Sequence, residues 1–106
     1  MRRRGHSGKV DANQNAIVAA LREARCGVLS LASLGGGVPD TLVWSPYTRS
    51  YAVHEVKGPD GELTPDQVTF HAAWPGPIVI VRSVDEALAA VGALRRGSIT
   101  HRSSAP

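Results

Sequence analysis

Apolar residues recur along this chain in two alternating rhythms. Ile17, Val18, Leu21 and Ala24 fall at helical spacing, with Arg22, Glu23 and Arg25 interleaved. Asp11 with Gln14 three residues on makes a capping-box pattern ahead of them. The spacing predicts a helix over about 12–25, ending near Gly27. Val28 to Leu34 is short and apolar-rich and reads as a strand, broken by Gly35-Gly36-Gly37. Thr41 to Trp44 and Tyr51 to Lys57 read as two more strands, paired as an antiparallel hairpin across Ser45-Pro46-Tyr47-Thr48-Arg49. Gly58-Pro59-Asp60-Gly61 is turn chemistry. Thr64-Pro65-Asp66-Gln67 opens a second helix with a threonine cap, proline at the first position and glutamine at the third; Val68, Phe70, His71 and Trp74 follow. That helix stops before Pro75-Gly76-Pro77. Ile78 to Val81 is apolar throughout, as a central buried strand is. Ser83 with Glu86 opens a last helix through Leu88, Val91 and Leu94.

The predicted order is therefore α-β-β-β-α-β-α: an α/β domain with a small mixed sheet of about four strands flanked by helices. At 106 residues the chain makes one domain with one modest core. Residues 1–10 read as a flexible basic arm, 11–96 as the domain, and 97–106 as a polar, disordered tail.

Charge and cysteine content narrow the classes. The chain carries a formal net charge of +3. Arg2, Arg3 and Arg4 cluster at one end, and Arg95, Arg96 and Arg102 at the other. Such arms suit a polyanion such as nucleic acid, and serve equally as solubilising tails. The single cysteine, Cys26, excludes an intramolecular disulfide and a Cys-based zinc site, and its position predicts a buried thiol. No run is long and apolar enough to span a membrane, and no apolar segment follows the N-terminal arginines as a secretory signal requires. The expectation is a cytoplasmic protein.

The chemistry concentrates in Pro39-Asp40 and Glu55-Val56-Lys57. Side chains alternate along a strand, so Glu55 and Lys57 share a face and Val56 points away. If Asp40 begins the neighbouring strand, the two acids converge on one divalent cation with an ammonium beside them. That combination suits metal-assisted phosphodiester hydrolysis. Magnesium prefers oxygen ligands and keeps several waters, so one or two carboxylates suffice. Singly, each residue has a plainer reading: Asp40 as a strand start, and Glu55 with Lys57 as a surface ion pair.

Gly36-Gly37-Val38-Pro39-Asp40, then Glu55-Val56-Lys57, then Leu63-Thr64-Pro65-Asp66-Gln67, resembles the motif run of the PD-(D/E)xK nuclease superfamily. Within it, the chain is most similar to the small VRR-NUC and Holliday-junction-resolvase-like nucleases, many of them phage-encoded. The resemblance covers roughly residues 11–92 and implies a restriction-endonuclease-like fold. It implies Asp40, Glu55, Lys57 and Gln67 as catalytic residues. Asp40, Glu55 and the Val56 carbonyl would hold Mg or Mn. The implied substrate is DNA, relatives of this size often acting on branched DNA as homodimers, and the implied compartment is the cytoplasm of a bacterium or phage-infected cell.

One departure stands out. Many relatives place a glutamate in the first helix, where this chain has Asp11-Ala12-Asn13-Gln14-Asn15-Ala16. The alternative is a non-catalytic nucleic-acid-binding module on a nuclease fold. Arg2, Arg3, Arg4, Gly36, Gly37 and Tyr47 are the candidate DNA contacts. The glycines read as a turn that lets DNA approach the backbone, and no Gly-Lys-Ser/Thr follows to make a Walker loop. His54 is expected on the face opposite Glu55 as a structural residue; His71, one helical turn after Gln67, has two readings, facing the site or a partly buried packing role, and the second is preferred. His6 and His101 lie in the tails, and the four histidines lack metal-ligand spacing. Trp44, Phe70 and Trp74 are expected in a core or interface.

Overall fold

The structure, a computed structural model, describes residues 8–93, with side chains from Ala12 onward. Its elements run α1 (Gly8–Glu23), β1 (Gly27–Ser30), β2 (Thr41–Ser45), β3 (Ser50–Val56), α2 (Pro65–Ala73), β4 (Ile78–Val81) and α3 (Val84–Ala90). The order α-β-β-β-α-β-α and the mixed four-stranded sheet agree with the sequence reading. Arg2, Arg3, Arg4, His6, Leu94, Arg95, Arg96, His101 and Arg102 lie outside the described residues.

The strands lie in the order β1-β2-β3-β4. β1 pairs antiparallel with β2, β2 antiparallel with β3, and β3 parallel with β4. The parallel pair follows from the connection: β4 returns to the sheet only after α2. Strand alternation gives the sheet two unlike faces. Val28, Val43, Val56, Val79 and Val81 pack with Ile17 and Leu21 of α1 and with Ala87, Leu88 and Val91 of α3. The opposite face carries Leu29, Trp44, Tyr51 and Glu55, and of these Leu29 and Tyr51 are well exposed.

Several boundaries differ from the sequence reading. α1 already includes Gly8, so Asp11 lies inside the helix and not at its cap. The helix also ends earlier than Gly27. Arg25 takes the left-handed conformation at φ 74°. Cys26 N–H then bonds the Leu21 carbonyl and Arg25 N–H the Arg22 carbonyl, each at 2.9 Å. That is a Schellman end built on arginine where glycine is the usual occupant. β1 stops at Ser30; Leu31 N–H still bonds the Asp40 carbonyl at 2.8 Å, and Ala32–Leu34 then forms a 3-10 turn.

β4 is an edge strand, not a central one. Its run of four aliphatics serves one buried face, and Ile80 is 38% exposed on the other. An apolar run reads the same whether a strand is covered on one side or both. The α2 start is as predicted, a full capping box between Thr64 and Gln67 behind Pro65. The α3 box is half formed: Ser83 accepts from Glu86 N–H, but the Glu86 carboxylate reaches back to Arg82 N–H at 2.8 Å. Trp44 pairs with Tyr51 across the strands (4.9 Å between ring centroids), and Phe70 stacks on Trp74 (5.3 Å), which is 45% exposed. None of the three predicted core or interface aromatics enters the buried core. Cys26 is buried, and burial raises its thiol pKa.

Candidate active site

Asp40 immediately precedes β2, and the register pairs Thr41 with His54. Continuing it by one residue sets Asp40 opposite Glu55. A preceding buried proline, Pro39, fixes the approach of the chain. The Asp40 carboxylate turns onto β3, where Oδ2 accepts from Val56 N–H at 2.7 Å. In an extended strand the N–H and C=O of one residue point to the same side. The Val56 carbonyl therefore faces the Asp40 edge as well.

Glu55 is 1% exposed. Its carboxyl pKa is pushed up from 4.5 to about 8, first by burial, then by the hydrogen bond and negative charge of Asp40; Lys57 opposes this. Two acids therefore share one buried corner of the open sheet face, with the lysine close enough to act on them. His54 points the other way, as predicted. It is 1% exposed, burial lowers its pKa, and among the described residues its Nδ1 has no hydrogen-bond partner.

α2 closes over Glu55. The Gln67 side chain joins its own helix cap to the carboxylate: Oε1 accepts from Thr64 N–H at 2.9 Å, and Nε2 donates to Glu55 Oε2 at 3.2 Å. One helical turn later, His71 Nε2 lies 3.1 Å from Glu55 Oε1. Which of the two donates depends on the His71 tautomer. Among the described residues no other basic and acidic side chains lie within ion-pair distance. His71 thus belongs to the cluster, where the sequence reading preferred a packing role. The signal was its i+4 spacing from Gln67.

The glycine turn seats this helix. Gly37 adopts φ 84°, and a Cβ there would fall 2.3 Å from the Asp66 carbonyl oxygen and 3.0 Å from Gln67 N. The space beside Gly37 is filled by α2, so on that side it offers no backbone to DNA. Gly35 and Gly36, also at positive φ, face open space. Gly37→Ala should unseat the α2 start and carry Gln67 and His71 off Glu55. We expect a loss of about 1–3 kcal/mol of stability from the strained backbone alone, read by denaturant unfolding. An unchanged midpoint would show that α2 can shift freely.

Lys57 follows β3 directly and is held through its backbone. Its N–H bonds the Val81 carbonyl at 3.1 Å. Its carbonyl accepts from Asn13 Nδ2 at 3.2 Å, and the same amide reaches the Arg82 carbonyl at 3.4 Å. Arg82 Nη1 then grips the following turn, donating to the Gly58 and Gly61 carbonyls at 2.8 Å each. Asn13 therefore docks the first helix against the lysine, in the segment where a glutamate was sought. Sequence reading missed this role because an asparagine in a polar helix face carries no distinctive pattern. Among the described residues, no group of three or more His, Cys, Asp or Glu side chains is gathered as a metal cage.

Tyr47 does not join the cluster. It sits at the far end of the hairpin, roughly 20 Å from Asp40 at the rise of a strand. Its hydroxyl donates to the Ala24 carbonyl at 2.9 Å, and it lines a groove with Ala20, Val84 and Leu88.

A family model described as the VRR-NUC domain matches residues 5–73, more than half of the chain. The chain belongs to the VRR-NUC domain family. No curated protein and no solved structure matches it. A VRR-NUC domain is a nuclease domain, a hydrolase unit whose substrate is DNA and whose members generally use divalent metals. The matched stretch of this VRR-NUC domain contains Asp40, Glu55, Lys57, Gln67 and His71. No helix among the described residues is long and apolar enough to cross a membrane.

Proposed function

We propose that this VRR-NUC domain is a divalent-metal-dependent endonuclease that hydrolyses DNA phosphodiesters, with branched DNA as its preferred structure. The observation carrying this reading is the placement of Asp40 against β3 beside the buried Glu55, with Lys57 next along the strand. The donor set fits magnesium or manganese. It offers hard oxygens from Asp40, Glu55 and the Val56 carbonyl. Burial of Glu55 first, and the neighbouring Asp40 second, hold the Glu55 carboxyl pKa near 8, and a bound cation would relieve both.

The chemistry a bound cation would supply is polarisation of the phosphate and a lowered pKa for a bound water. Asp40 and Glu55 would hold it, each fixed in turn by a hydrogen bond: Asp40 by Val56 N–H and Glu55 by Gln67. Lys57 would orient the attacking water or help to deprotonate it, and as an ammonium would offset the charge building on the phosphate. Asn13 on its carbonyl and the Val81 carbonyl on its N–H keep its backbone in place. Gln67 acts through Glu55. A homodimer is the expected acting unit, since one small domain offers a duplex little surface and two copies bring two sites to two strands. Arg2, Arg3 and Arg4 are the proposed DNA arm.

One observation favours a second reading, a binding module without catalysis. Asn13 spends its amide on two carbonyls and brings no carboxylate from the first helix. A panel of labelled duplex, single-stranded, flap and four-way-junction DNAs, with magnesium or manganese, decides between them. Metal-dependent cutting supports the nuclease, and the DNA cut fastest names its class. Salt-sensitive binding without cutting under either metal supports the binding module.

A further inference from the structure

We infer that His71 is a positioning residue of this site, holding the Glu55 carboxylate in the orientation that binds the divalent cation and so setting cation affinity. The inference rests on the metal-dependent reading above. Its observation is separate: one helix places two side chains, a turn apart, on the two oxygens of one buried carboxylate. Gln67 Nε2 meets Oε2 at 3.2 Å and His71 Nε2 meets Oε1 at 3.1 Å.

A carboxylate held at one oxygen can still swing about its terminal torsion, which is broad and weakly stepped. Held at both, it cannot. Each oxygen keeps a further lone-pair direction, so the two hydrogen bonds leave room for a cation. The helix itself is not free to drift. Its first turn rests against Gly37, three residues before Asp40, with no room for even a methyl group. α2 therefore registers Glu55 against the segment that delivers Asp40. His71 is 16% exposed in its side chain, and it sits at the rim of this contact, not in the hydrophobic core. Hydrogen-bond partners of metal-binding carboxylates typically change affinity by roughly 10–100-fold when removed.

The test is Mn2+ binding to the DNA-free protein, followed by electron paramagnetic resonance, for wild type, His71→Ala and His71→Gln. Glutamine keeps an N–H donor at the same helical position. We expect the Mn2+ dissociation constant to rise about tenfold or more in His71→Ala, and His71→Gln to recover most of that loss. In cleavage assays the metal concentration for half-maximal rate should rise in His71→Ala, with the rate at saturating metal largely kept. Unchanged Mn2+ affinity in a folded His71→Ala overturns the inference. So does a His71→Gln as weak as His71→Ala, because the ring and not the donor would then matter. A His71→Ala that does not fold also overturns it, since His71 would be holding the fold. Wild type that binds no Mn2+ removes the metal-dependent reading itself and the inference with it.

Discussion

Asp40→Asn is expected to abolish metal-dependent DNA cleavage while leaving the fold intact. Asparagine retains an oxygen that can accept from Val56 N–H, the 2.7 Å bond that ties Asp40 to β3. It lacks the negative charge that a divalent cation needs. Alanine is the poorer test, because it leaves Val56 N–H without its acceptor in a buried strand, a cost of about 1–3 kcal/mol. With asparagine the effects on chemistry and on stability separate. Losing the charge that holds the cation should lower the cleavage rate by at least roughly 1,000-fold. Initial rates on the preferred DNA, beside thermal melts of both proteins, give the answer. A folded Asp40→Asn protein that cuts at a tenth of the wild-type rate or better, on the order of 1 kcal/mol of lost stabilisation, would sink the assignment.

Glu55→Gln is expected to do something less usual: to stabilise the metal-free protein and destroy its activity. The Glu55 carboxyl pKa is raised from 4.5 to about 8. A carboxyl raised in the folded state holds its proton more tightly there than in the unfolded chain. The stability this contributes is complete below 4.5 and is lost as pH rises through about 8. Glutamine is neutral throughout and escapes the loss. The variant should therefore melt with wild type near pH 4, and above it at about pH 9, by on the order of 5 °C. His54 gives the opposite slope, since its lowered pKa costs stability as pH falls below 6.5. That slope is common to both proteins and cancels in their difference. Magnesium should raise the wild-type melting temperature at the alkaline end, where the carboxylate is charged, and leave Glu55→Gln unmoved. Melting curves that coincide at every pH would show that Glu55 is solvated and unconstrained.

The parts of this picture legible in the sequence are those set by short-range rules. Strand alternation placed Glu55 and Lys57 on one face and His54 on the other. The Thr64 capping box fixed the start of α2, and the hairpin brought Asp40 to Glu55 because its strands and turn have definite lengths. Three things were not legible, each for a physical reason. An edge strand covered on one face and a central strand are both apolar, so β4 was misplaced. Arg25 took a left-handed position usually reserved for glycine, because the hydrogen bonds at the end of α1 outweigh a modest backbone strain. Asn13 acts across a sequence separation that no local periodicity encodes, and the i+4 spacing of His71 from Gln67 marks its helix face but not the carboxylate it meets. Their partners, Glu55 and the Lys57 and Arg82 carbonyls, meet them only after the sheet and helices have assembled.

The bond between Asp40 and Val56 has a spectroscopic side. A single backbone amide proton points at one oxygen of a proposed metal ligand, at a distance where the acceptor's charge strongly polarises the N–H group. Its chemical shift and its exchange with solvent thus record whether that carboxylate is bare, protonated or neutralised by a cation. Labelled at one backbone nitrogen, the molecule carries its own gauge of site occupancy, readable with no DNA present and no bond cut.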